Sequence, residues 1–152
     1  MGIPDGDVVV LSSKIEILRE IDFLFQIKAH ESTATTFESK EDDQRLEALQ
    51  DRAVAEWQRN KLRRNKKFGF WPKKGTVKLA TIHSFKGWEA PTLFLIIERQ
   101  PLKNHATEEE FASDELIYTA ITRCIQNLII INLGNAKYRD FFREHMPLVE
   151  AR

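Results

Sequence analysis

Apolar positions along this chain fall into two rhythms that take turns. Asp7 to Leu11 is a short valine-rich run of strand type, and Ile15, Leu18, Ile21, Leu24 and Phe25 then recur at helical spacing through about Lys28. Ser12 and Ser13 stand just before Lys14 and offer that helix a cap, so this stretch reads as a βα unit. Thr33 to Phe37 is rich in β-branched residues and predicts a second strand. Ser39 and Asp42 then stand at capping-box spacing, and Leu46, Leu49, Ala53 and Trp57 continue on one helical face. The pattern predicts one helix from about Lys40 to Arg63, with those apolar residues packed on the core.

Farther along, Val77 and Leu79 alternate with polar neighbours, whereas Leu93 to Ile97 is unbroken and of strand length. A run apolar on both faces suits a central strand of a parallel sheet with helices on either side. After a loop from Arg99 to Thr107, Thr107 and Glu110 have cap spacing and residues 108–110 are acidic, which favours a helix start. Phe111, Leu116, Ile117, Ala120 and Ile121 carry that helix from about Glu108 to Cys124. Leu128 to Asn132 is another apolar strand, ended by Gly134 and Asn135, and Tyr138, Phe141 and Phe142 mark a closing helix to about His145 that Pro147 stops. The order is strand, helix, strand, helix, strand, strand, helix, strand, helix, without internal repeat. Such alternation predicts an α/β layered fold, and 152 residues make one domain of ordinary size.

Composition narrows the function classes. An apolar content of 42% with 30% charged residues is that of a soluble globular protein. Basic and acidic residues are equal at 23 each, so only a local patch can make an electrostatic case for nucleic acid. One such patch exists. Arg59 to Lys74 holds eight cations, no acidic residue and the aromatics Phe68, Phe70 and Trp71. Cations interleaved with aromatics suit single-stranded nucleic acid, since phosphates take the charge and unstacked bases find a π-face. Arg63, Arg64, Lys66, Lys67 and Trp71 are the candidates there. The plain alternative is a solvated helix end and loop whose aromatics fold back on the core.

A single cysteine, Cys124, excludes an internal disulfide framework and fits a reducing compartment. No apolar run approaches the ~20 residues a membrane span needs, and the start lacks a signal-peptide core. Met1-Gly2 fails as a myristoylation site because position 6 is Gly. A cytoplasmic location is expected. His30, His83, His105 and His145 are scattered, so no metal site is expected. No G-x-x-x-x-G-K-[ST] phosphate loop occurs anywhere in the sequence.

Two polar knots remain. Residues 81–89, TIHSFKGWE, crowd donors, a cation, a glycine and a carboxylate between two strands, at the sort of loop where parallel sheets bind ligands. Residues 117–123, IYTAITR, end a helix on Arg123. Tyr118 and Thr122 share a face of it and Arg123 lies on an adjacent one. By itself Arg123 reads as a surface salt bridge to Glu115 or Asp114, and Tyr118 as a packing residue.

Together, in this order and each followed by an apolar strand, the two knots resemble motifs five and six of superfamily I DNA helicases of the UvrD and Rep kind. The resemblance implies a RecA-like parallel sheet flanked by helices on both faces, the second, C-terminal motor domain of such an enzyme, P-loop NTPase-like but without its own P-loop. It implies ATP with Mg2+, bound mainly by an N-terminal RecA-like domain of the same full-length protein, and single-stranded DNA as the track, with 3′-to-5′ polarity. By position, Arg123 matches the arginine that reaches across the cleft to the γ-phosphate, a guanidinium worth roughly a thousandfold or more in related enzymes. Gly87 and Glu89 match residues close to the nucleotide, Thr81, His83 and Ser84 lie towards DNA, and Lys86 serves either ligand. Trp88, Ala90 and Cys124 depart from the motif pattern and touch local packing. The large subdomain that interrupts this domain in UvrD and Rep is absent, and about Glu38 to Gly75 is expected to hold one helix and a basic loop. Two other classes fit the same residues: a non-catalytic nucleic-acid- or protein-binding module with a helicase-like fold, and a 5′-to-3′ or RNA-directed translocase. The motor reading requires Arg123 and the Gly87–Glu89 turn to open onto one edge of the sheet.

Overall fold

The computed structural model describes residues 2–70, 75–99 and 114–146. The start of the helix expected from Glu108, with Thr107, Glu110 and Phe111, and also Trp71, Lys73, Lys74, His105 and Pro147, lies outside the described residues.

Five strands, β1 (Val8–Ser12), β2 (Ala34–Thr35), β3 (Lys78–Thr81), β4 (Ala90–Ile97) and β5 (Cys124–Asn132), form one sheet in the order β2-β3-β1-β4-β5. Every pairing is parallel. Helices α1 (Ile15–Leu24), α2 (Lys40–Glu47), α3 (Arg52–Phe70), α4 (Asp114–Ile121) and α5 (Ala136–His145) follow the strands. The fold is α/β with one all-parallel sheet, as the alternation of apolar runs predicts, and it is consistent with the RecA-like sheet that the resemblance implies.

Helices cover both faces of the sheet, because alternate strand residues point opposite ways. Val9, Leu11, Leu93 and Leu95 face a core shared with Phe70 of α3, Ile117 and Ala120 of α4, and Tyr138 ahead of Phe142 on α5. Val10, Leu79 and Ile96 face the other way, against Leu18 of α1 and Phe37. Leu18 is fully buried, which contributes roughly 1.5–3 kcal/mol. The alternation read at Val77 and Leu79 does not leave β3 half exposed. Lys78 between them is only 5% exposed, its ammonium donating to the Gly6 carbonyl, and burial pushes its pKa down against the partial support of Asp7.

Three local expectations are corrected. Neither Ser12 nor Ser13 caps α1: the Ser12 hydroxyl accepts from the Lys14 amide, the position before the helix is Lys14 with no side-chain cap, and Ser13 donates to Glu98. α1 continues as a π-helical turn, Phe25–Ala29, and ends at His30 with φ 54°.

The single helix expected over 40–63 is two. Ser39 caps the first as predicted, accepting the Asp42 amide at 3.1 Å. Asp51 then accepts the Ala53 and Val54 amides at 2.9 and 3.2 Å and starts a new helix. The break rotates the apolar stripe out of register, so Leu46 is buried but Leu49, Ala53 and Trp57 are exposed and do not pack on the core.

The segment expected as a basic loop is helix as far as Phe70. Lys, Arg and Asn continue α3 without a proline until Pro72, and Phe70, 1% exposed, anchors its end.

The linker before α2 carries a buried carboxylate. Glu38 is fully enclosed and takes Arg63 through two hydrogen bonds of 2.6 Å, Arg19 through another, and Arg59 at 3.5 Å. Asp43 of α2 adds contacts to Arg19 at 2.7 Å and Arg59 at 3.1 Å. The network ties α1, α2 and α3 to the end of β2.

Candidate functional site

The connection from β3 to β4 has to cross β1, since both pair with it on opposite sides. It therefore starts at the carboxyl edge of the sheet, where Thr81 pairs with Ser12, and finishes at the amino edge, where Glu89 precedes the first residue of β4. Thr81 opens it as a helix start would be opened: its hydroxyl accepts the Ser84 amide at 3.2 Å and lies 2.9 Å from the Ser84 hydroxyl, and its carbonyl accepts the Phe85 amide at 3.0 Å. Phe85 is fully buried and meets Trp88, which also lies against Phe70 with ring centroids 5.3 Å apart. Trp88, the departure from the motif pattern, thus fills the space over the end of α3.

Packing two aromatics inward turns the polar residues out. His83, Lys86, Gly87 and Glu89 are exposed. Gly87 sits at φ +90°, which an L side chain adopts only under strain, and a Cβ there would meet nothing within 4 Å. The backbone needs glycine for its conformation, and its open side leaves the chain approachable.

Arg123 closes the arrangement. It follows α4 and immediately precedes β5, whose first residue, Cys124, pairs with Ala90. The Ala90 amide donates to the Arg123 carbonyl at 3.0 Å, so Glu89 and Arg123 flank one backbone hydrogen bond at the amino edge. The salt bridge to Asp114 or Glu115 is not formed. Asp114 is held by Lys137 at 2.6 Å and the Tyr138 hydroxyl at 2.7 Å, which keep its carboxyl below the usual range. Among the described residues the Arg123 guanidinium meets only the Thr122 hydroxyl at 3.4 Å, and its Nε is buried without a partner. Tyr118 is 71% exposed and packs on no core.

The predicted site residues therefore divide. Glu89 and Arg123 share the amino edge, with Gly87 two residues upstream. Thr81, His83 and Ser84 belong to the carboxyl edge, and Lys86 lies between the groups. The loop rule that places ligands at carboxyl ends describes only the second group.

Of the basic residues on α3, Arg63 is committed to Glu38, and Lys66 donates to the Thr35 hydroxyl at 3.1 Å. Arg64 and Lys67 are exposed, and Trp71 lies outside the described residues. The carboxyl edge also gains a pair with no sequence signal, because its members stand 85 residues apart. Ser13 after β1 donates to Glu98 after β4, and Glu98, 8% exposed, keeps Oε2 without a partner. These two strands are where the order of the sheet reverses direction, the usual place for a binding crevice. A cavity of about 730 Å³ lies elsewhere, between α1, α2 and α3, lined by Arg19, Asp43, Arg59 and Arg63. Its charges already neutralise one another, so the motif edge is the better candidate. Among the described residues no helix is long and apolar enough to cross a membrane. No protein-family model matches the chain, and no curated protein is significantly similar to it.

Proposed function

We propose that this chain is the C-terminal motor domain of an ATP-dependent superfamily I DNA helicase, supplying an arginine finger and part of a single-stranded DNA track to a site shared with an N-terminal RecA-like domain. The observation that carries the reading is the Ala90–Arg123 hydrogen bond, which sets beside the Gly87–Glu89 turn an arginine with no carboxylate partner among the described residues. The buried Nε–H of that guanidinium, without an acceptor among the described residues, is costly unless one arrives from outside.

The residues present fit a nucleotide. The orphaned Nε of Arg123 and the open backbone at Gly87 are the features a phosphate would complete. Arg123, Gly87, Glu89 and Lys86 would hold it from this side. ATP with Mg2+, bound mainly by the partner domain, supplies the phosphoryl group whose transfer drives the cycle. Arg123 would stabilise the charge that develops there, and its carbonyl, tied to β4, fixes the stem that carries the guanidinium. Thr81, His83 and Ser84 offer donors that hold phosphates without reading bases.

The test uses the full-length protein that carries both motor domains. Arg123→Ala should lower ATP turnover by roughly a thousandfold while single-stranded DNA binding persists. Near-normal turnover would remove the role.

A further inference from the structure

Helix α3 has two faces of opposite character. Ala55 and Phe70 are buried, and Arg59, Arg63 and Lys66 turn inward onto Glu38, Asp43 and Thr35. Trp57, Lys61, Arg64 and Phe68 follow one another at spacings of four, three and four residues, which brings them within roughly 60° of arc at 3.6 residues per turn. Trp57 is 62% exposed and Phe68 80% exposed. The Lys61 ammonium lies 5.0 Å from the centre of the Trp57 ring, and Arg64 makes no ion pair among the described residues. No acidic residue interrupts the stripe. Beside Trp57 a groove of about 390 Å³ opens between α2 and α3, its lining including Arg45, Leu46, Leu62 and Asn65 and no carboxylate.

We propose that this outward face of α3 is a binding strip for single-stranded nucleic acid, with Trp57 and Phe68 as stacking platforms and Lys61 and Arg64 as phosphate contacts. Trp57 and Phe68 put two flat rings in water on one face of a helix held by Ala55 and Phe70, a surface that stacked bases would cover. The unbalanced cations between them call for a polyanion. Flat rings alternating with cations meet both halves of a nucleotide, whereas an acidic peptide would use the cations and leave the rings exposed. The two rings stand about 16 Å apart along the helix, so the occupant is a strand and not a lone nucleotide. The strip rests on α3 alone and holds whether or not the motor assignment does. It also differs from the candidates read in the basic segment of the sequence: Arg63 and Lys66 drop out, Lys61 and Phe68 of that segment take their place, and Trp57 enters from outside it.

The experiment is titration of the whole chain with fluorescein-labelled oligo(dT) by anisotropy over a range of salt. Trp57→Ala and Phe68→Ala should each weaken binding about tenfold, while Trp57→Phe restores most of it. Lys61→Gln with Arg64→Gln should flatten the slope of log K against log salt by about 1.4. His83→Ala, which touches the other candidate DNA surface, should leave that slope contribution in place, so a failed motor reading and a failed strip give different patterns. The substituted residues are exposed, and unchanged thermal melting confirms intact fold. Absence of oligo(dT) binding, or aromatic variants that bind normally, would overturn the proposal. So would tighter binding of poly-glutamate with no dependence on the rings, which would make the strip a protein-docking face.

Discussion

Glu38 shows how one residue can carry a pH dependence. Burial by itself would push its carboxyl up, but the hydrogen bonds from Arg63, together with the charges of Arg63 and Arg19, outweigh this and hold it at about 2. Arg63 is raised in turn, chiefly by its bond to Glu38. A carboxyl held below its ordinary value of 4.5 stabilises the fold fully above that pH and less and less as pH falls towards about 2. The lowering is worth roughly 3 kcal/mol. Denaturant unfolding of the wild type should therefore lose about that much stability from pH 5 to pH 2, and Glu38→Gln should remove this part of the slope while lowering stability at pH 7, because Arg63 loses its anion and Arg19 and Arg59 are left with Asp43 alone. An identical pH slope in the variant would refute the assignment. None of this is legible locally. Thr36, Phe37 and Ser39 around Glu38 give no sign that it is enclosed, and its partners lie 19 to 25 residues away on two helices. Arg123 is the opposite case: its place at a helix end before an apolar strand was readable, whereas its lack of a carboxylate partner among the described residues was not, since Lys137 and Tyr138 occupy Asp114.

At the scale of elements, the strands and most helix positions follow from periodicity, and the misreadings come from breaks that apolar spacing does not register. Leu46, Leu49, Ala53 and Trp57 keep helical spacing straight across the α2–α3 junction. Only Asp51, capping two amides, shows that a new helix begins there. Asp51→Ala should cost about 1 kcal/mol in thermal or denaturant stability, as for other lost caps. It should leave Glu38 and Arg63 in contact, because α3 is also anchored by Phe70 at its far end. No change in stability would mean that the α2–α3 break is held by something other than the cap. The turn from Thr81 to Glu89 was legible as a polar knot. Its span from one edge of the sheet to the other was not, because it follows from β1 lying between β3 and β4.

For the whole molecule, the sheet ends on β5, nine residues without a charge, with Ile125 59% and Ile131 40% exposed. Among the described residues nothing pairs with its outer edge. An uncharged edge strand is a template for further strands. Ile125→Lys should lower self-association of the chain at high concentration, read by sedimentation, without lowering its melting temperature. Equal association of variant and wild type would show the edge to be closed by other means. The amino-acid sequence by itself determined the order of strands and helices, apart from the α2–α3 break and the helical run of α3 to Phe70, and the two polar knots that carry the candidate chemistry, because these depend on neighbours within one or two turns or along one strand. The tertiary structure alone decided that the strands run in the order β2-β3-β1-β4-β5, that Glu89 and Arg123 meet at one edge, and which cations of α3 face in or out. Those outcomes depend on charges and packing surfaces brought together from distant parts of the chain, and a side chain's partner is not specified until the fold supplies it.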